Sequence, residues 1–219
     1  MADLTKKEII AKRAACELQN GDVVNLGIGI PSLVSNFLPA EKSVIFQAEN
    51  GILGMGAVPE KDKTDVNVQN ASAQFTTPIK GASFFDSVTS FGMIRGGHID
   101  AVILGAFEVD EEGSLSSWII PGGKVSGMGG SMDLVVGAKK VIIAMQHTQN
   151  GRAKIVPKCT LPYTARKVVD LIITEMAVIK VTPKGLVLVE RHPDYSVREI
   201  CDATACPLII QEPIREMKI

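Results

Sequence analysis

Two almost unbroken apolar runs limit what this chain can become. Residues 101–107 read Ala101-Val102-Ile103-Leu104-Gly105-Ala106-Phe107, and residues 141–145 read Val141-Ile142-Ile143-Ala144-Met145. Neither run alternates with polar residues, so neither suits a strand with one wet face. Such runs fit strands buried on both faces of a parallel sheet, and both are too short to span a bilayer. A parallel sheet needs helical crossovers, and the rest of the chain supplies candidates. Residues 4–20 place Leu4, Ile9, Ile10, Ala14 and Leu18 near helical spacing and stop at Asn20-Gly21. Residues 23–26 and 43–48 read as strands, and Pro31 opens a helix to about residue 38. Residues 57–80 read as an irregular loop. Helices are predicted over 83–95, 163–175 after Pro162, and 196–205. Residues 178–181 and 186–190 pair across Pro183-Lys184-Gly185, and a last strand covers 208–210. This alternation predicts one α/β domain over residues 1–219, with a mostly parallel sheet flanked by helices.

In sheets of this kind ligands bind beyond the carboxyl ends of the strands. The rule selects three turns: 27–31, 49–51 and the glycine-rich stretch 121–130. Glu49 ends an apolar strand and precedes Asn50-Gly51, a pair suited to a sharp turn with positive φ. Its carboxylate either projects into a pocket or serves as an ordinary turn or capping acid. Gly127, Met128, Gly129, Gly130 and Ser131 precede a helical stretch. Their amides either converge on one developing negative charge or simply form a tight turn. Gly27-Ile28-Gly29 lacks the third glycine of a dinucleotide fingerprint, with Ser32 in its place. Lys154 and Lys158 flank a strand-like pair and are either anion contacts or solvated surface lysines.

Several classes are disfavoured. Lys plus Arg number 23 against 24 Asp plus Glu, a net charge of -1, which leaves no basic excess for nucleic acid or an anionic membrane. The scattered His98, His147 and His192 and the four cysteines have no metal-ligand spacing. His98 reads as structural, and His147 follows a strand with no evident partner. The charged, periodic start is unlike a signal peptide. With no paired cysteines, reduced thiols in a cytoplasm are expected.

The segment Gln47-Ala48-Glu49-Asn50-Gly51-Ile52-Leu53-Gly54-Met55-Gly56 resembles the glutamate–asparagine–glycine motif of the class I 3-oxoacid CoA-transferases. Further matches follow in order: residues 24–31, Phe84-Phe85-Asp86-Ser87, residues 94–100, Trp118-Ile119-Ile120-Pro121-Gly122, residues 127–135 and Lys158-Cys159-Thr160-Leu161-Pro162. Together they cover residues ~8 to ~190 and resemble the B (β) subunit of a two-subunit enzyme. The resemblance implies the fold shared with sugar-phosphate isomerases, and Glu49 as a nucleophile that carries CoA as a glutamyl thioester. It implies oxyanion or substrate contacts at Gly129, Gly130, Asn50 and Gly51, and CoA contacts at Gly127, Met128 and Lys154. It implies a partner A subunit in a heterodimer or heterotetramer, coenzyme A as substrate, and no tightly bound cofactor or metal. The motif's usual serine is Ala48 here, Ser72 and Ser131 replace common residues, and Lys124 stands one place later than usual. The acid pair stays open among acetate, butyrate, acetoacetate, succinate and 3-oxoadipate. The rival readings are a sugar-phosphate isomerase-like or effector-binding domain, and a non-catalytic partner subunit.

Overall fold

The computed structural model describes residues 4–123 and 125–219; Lys124, noted above for its shifted place, lies outside them. The chain opens with α1 (Lys6–Ala15), started by a capping box in which Thr5 and Glu8 each satisfy the other's backbone amide. Next come β1 (Val23–Leu26), a 3-10 helix at Pro31–Phe37, β2 (Ile45–Ala48), β3 (Ile52–Met55), β4 (Pro78–Phe84) and α2 (Ser87–Arg95). The middle contains β5 (Ala101–Leu104), β6 (Glu108–Asp110), β7 (Leu115–Ser116), α3 (Ser131–Gly137) and β8 (Val141–Ala144). Short strands β9 (Thr148–Gln149), β10 (Arg152–Ala153) and β11 (Ile155–Val156) lead to β12 (Leu171–Ile173), β13 (Ala177–Thr182), β14 (Gly185–Arg191), α4 (Val197–Ala203) and β15 (Leu208–Glu216).

Ten strands form one sheet in the order β15-β14-β13-β12-β8-β5-β1-β2-β3-β4. The central five, β12 to β2, run parallel. The two expected apolar runs are its middle. Val102 and Leu104 of β5 enter the core on one face while Ala101 and Ile103 enter on the other, and Val141/Ile143 and Ile142/Ala144 of β8 divide the same way. α1 covers one face through Ile10, Ala11 and Ala14; Ile94 of α2, Leu134 and Val135 of α3 and Ile200 of α4 cover the opposite face. The chain steps from β1 to β2 on one side, then returns to place β5 on β1's other side. That reversal opens a crevice at the carboxyl ends of β1 and β5.

The structure corrects three expectations from local pattern. Residues 163–175 are not helical: the amides of Val168 and Val169 bond to Gly113 O, and Leu171–Ile173 is strand β12 between β8 and β13. Sheet pairing at both edges of this buried triplet outweighs its helical spacing. The helix expected from 83 begins at Ser87, because Ser83 and Phe84 pair with Leu53 and Ile52 and Asp86 caps the helix. The last strand runs on from 210 to Glu216. Among the described residues no helix is long and apolar enough to cross a membrane.

Candidate functional site

Glu49 is rooted in a turn of three residues. β2 and β3 form an antiparallel hairpin in which Ala48 faces Ile52, so only Glu49, Asn50 and Gly51 connect them. Gly51 takes φ +119, and a Cβ there would lie 2.0 Å from Phe85 O. Only glycine fits that backbone and that approach. Its amide donates to Ala48 O at 3.0 Å, and its carbonyl accepts from Phe85 N at 3.1 Å. Both groups are committed to the turn. Asn50 is exposed, and its Nδ2 donates to Gln69 O at 2.8 Å, pinning the following loop. Neither Asn50 nor Gly51 lines the crevice.

Glu49 does line it, half-buried. The cavity at the β1/β5 reversal has a volume of about 630 Å³. Its walls include Asn25 and Gly27–Gly29 from β1 and its turn, residues 104–107 at and beyond the end of β5, Ala71 from the loop, and residues 126–131 from the glycine stretch. The structure therefore brings Glu49, Gly127, Met128, Gly129 and Gly130 to one cavity from positions about eighty residues apart. Gly129 has φ +52. Ser131 N closes that turn on Met128 O at 3.2 Å. Among the described residues neither the Gly129 nor the Gly130 amide has a backbone acceptor. Gly130 packs so near the acid that a Cβ on it would sit 3.4 Å from Glu49 Cγ.

Sequence reasoning missed what lies behind the acid. Asn25 Nδ2 donates to Glu49 Oε2 at 3.1 Å and to Gln47 Oε1 at 2.7 Å; Gln47 Nε2 donates to Ser90 Oγ at 2.8 Å. A carboxylate only accepts, so it fixes the orientation of both amides along this chain. Asn25 and Gln47 are each 1% exposed and Ser90 is fully buried. Asn25 Oδ1 is buried with no partner. The available signal was a lone amide side chain inside each of two apolar strands, Val23-Val24-Asn25-Leu26 and Ile45-Phe46-Gln47-Ala48.

Lys154 is not in this cavity. It lines a neighbouring cleft of about 520 Å³ with Arg152, Gln149 and Glu108, and Phe107 is shared between the two. Burial lowers its pKa to about 8 against the opposing pull of Glu175. His147 does not face the crevice either, and it does have partners. Its ring is fully buried between Thr174 Oγ1 at 3.0 Å and Thr204 Oγ1 at 2.9 Å. Its backbone amide donates to Glu175 Oε2 at 2.9 Å. Among the described residues no cluster of three or more His, Cys, Asp or Glu is arranged to hold a metal.

The chain is similar in sequence and fold to known proteins. Residues 7–203 match the family model described as coenzyme A transferase. A probable coenzyme A transferase subunit beta from Bacillus subtilis is 49% identical over 211 residues, 96% of this chain and 97% of that protein. An acetate CoA-transferase subunit beta from Haemophilus influenzae is 47% identical over 217 residues, 99% of this chain and 97% of that protein. The fold is shared with the crystal structure of an acyl-CoA transferase from Escherichia coli, at a TM-score of 0.78 and 23% identity. That match covers all of this chain but only 44% of that longer one.

Proposed function

The chain belongs to the coenzyme A transferase family, and on that premise we infer that Glu49 is the residue that carries the transferred group in a β-type subunit. The observation carrying this reading is the position of Glu49: rooted in a three-residue turn, half-buried, and lining the same cavity as Gly129 and Gly130, whose amides have no backbone acceptor among the described residues.

A carboxylate is ionised near neutral pH and needs no external base to act as a nucleophile. Glu49 attacks the thioester carbonyl of an acyl-CoA, the C–S bond breaks, and the sulfur leaves as CoA thiolate. The thiolate then attacks the glutamyl carbonyl of the mixed anhydride, releasing the first acid and leaving a glutamyl-CoA thioester. An acceptor acid runs the two steps backward, giving ping-pong kinetics. Each step passes through an oxyanion. The amides of Gly129 and Gly130 supply donors for it, and one such donor is typically worth about 3–4 kcal/mol. Gly127 and Met128 form the wall along which the thioester enters. In the adjoining cleft Lys154 and Arg152 offer positive charge to an anionic part of CoA. Asn50 and Gly51 contribute by building the turn.

The partner is an A-type subunit, as implied by relatives that are themselves beta subunits. The assembly is a heterodimer or its doubled heterotetramer, working in the cytoplasm. The acids are short-chain, in keeping with the acetate named for one relative and with the modest cavity volume. The test is to trap the intermediate. The complex with its A-type subunit is incubated with acetyl-CoA, reduced with borohydride, and mapped by peptide mass. The reduced product is expected on Glu49, and a label on any other residue overturns the assignment.

A further inference from the structure

The Asn25–Gln47–Ser90 chain has a feature that simple orientation of a carboxylate does not require: it binds one oxygen of Glu49 and leaves the other without a side-chain partner among the described residues. We propose that Asn25 divides the labour between the two oxygens, Oε1 attacking the acyl carbon while Oε2, held by Asn25 Nδ2, becomes the oxyanion when the glutamyl carbon is itself attacked. The proposal rests on the reading of Glu49 as the acyl carrier.

The chemistry separates the two halves of the reaction. In the first, the new bond forms from Oε1 to the acyl carbon, the C–S bond breaks, and the electron pair leaves on sulfur. The oxyanion then belongs to the substrate, and the glycine amides face it. In the second, thiolate sulfur bonds to Glu49 Cδ and the anhydride C–O bond to Oε1 breaks, its electron pair leaving with the product acid. The transient negative charge of that step sits on the oxygen outside the anhydride bridge, which is Oε2. An N–H already 3.1 Å from that atom is a preset donor for that charge. No further base, oxidant or metal enters the balance.

Gln47 and Ser90 act through Asn25 and are positioning residues. The second hydrogen of Asn25 Nδ2 is consumed by Gln47 Oε1, which fixes the rotation of the amide plane. Gln47 is fixed in turn by Ser90 on α2. All three side chains are buried on regular elements, so the donor does not have to reorganise as charge develops. On the far side the absence of a side chain on Gly130 leaves room beside the acid, since a Cβ there would lie 3.4 Å from Glu49 Cγ.

The experiment uses the complex with its A-type subunit and follows formation and consumption of the glutamyl-CoA thioester by quenched-flow mass measurement at saturating acetyl-CoA. Asn25→Ala and the isosteric Asn25→Asp, neither of which presents an N–H to Oε2, are expected to slow both by about 10²–10³-fold. The KM for acetyl-CoA should stay within about threefold, since the interaction strengthens only in the transition state. Ser90→Ala is expected to slow both by about tenfold through loss of the fixed amide, and Ser90→Thr, which keeps the hydroxyl, to recover most of that loss. Thermal melting of each complex separates a lost donor from a lost fold. Asn25→Asp complexes that melt like wild type and form thioester within about threefold of the wild-type rate overturn the proposal. If wild-type enzyme itself gives no adduct on Glu49, the parent reading fails instead, and the two failures are distinct.

Discussion

Two chains of buried polar side chains sit at the carboxyl ends of the parallel strands, and they end differently. One joins His147, after β8, to Thr174, after β12, and to Thr204, after α4. It closes on itself. Thr204 Oγ1 donates to Ile200 O, so the His147 Nε2–H donates to Thr204, and the one Thr174 hydroxyl proton is shared between His147 Nδ1 at 3.0 Å and Ala177 O at 3.2 Å. Every partner of the ring is protein, and burial drives its pKa down to about 4 against the opposing pull of Glu175. The other chain runs Ser90, Gln47, Asn25 and stops at a carboxyl in an open cavity. A closed network holds elements together. An open one presents its last member to something from outside, and the two should respond differently to mutation.

The largest difference is expected from Glu49→Gln. Activity of the complex should fall by about 10⁴-fold or more while its melting temperature barely moves, measured by CoA transfer assay and calorimetry. A residual rate near wild type would make the open chain as structural as the closed one. Gly51→Ala comes next and strikes fold and activity together. Its Cβ meets the Phe85 carbonyl oxygen at 2.0 Å and the backbone sits at φ +119, so a loss of at least about 3 kcal/mol is expected in urea titration. His147→Ala should cost about 2–3 kcal/mol by removing two hydrogen bonds and emptying a fully buried ring site, yet leave kcat of the folded complex unchanged.

The closed network also sets a pH dependence. An unfolded histidine titrates near 6.5, whereas His147 in the fold does so near 4. Between those values the unfolded chain binds the extra proton, so stability is full above about pH 6.5 and declines as pH falls towards 4, by about 3 kcal/mol in all. Urea titrations at several pH values should show that slope in wild type and lose it in His147→Ala. The smallest effect is expected from Gly130→Ala. Its backbone conformation suits alanine, but the new methyl presses on Phe91 at 3.1 Å and on Glu49 Cγ at 3.4 Å. Transfer should slow by about tenfold with less than about 1 kcal/mol lost in stability.

The parts of the molecule legible in the sequence are those whose local pattern agrees with their tertiary setting. The apolar runs of β5 and β8, the turn after Glu49 and the hairpin of β13 and β14 all read correctly because buried strands and glycine turns announce themselves in composition. Residues 163–175 misled because sheet pairing at two edges decides their conformation, and spacing carries no trace of partners thirty residues away. Ser83 and Phe84 misled for the same reason. At the site, Glu49 and the glycine stretch stood out by residue type. Asn25, Gln47 and Ser90 did not, since their meaning lies in which strand lies beside which. An isolated amide in an apolar strand is the trace they leave, and it becomes informative once β1 and β2 are known to be neighbours.

The hairpin that holds Glu49 has one more implication. A side chain anchored in so short a connection has little travel, rooted at its base in the Gly51 turn and held at its tip by Asn25. Such a residue works as a fixed dock, and all commuting falls to the cargo. Departing acid and arriving acid must take turns at one berth while the thiol tail stays moored nearby. Discrimination among acids then becomes a matter of who can leave and enter past that mooring, and the walls of the approach channel are the place to look for it.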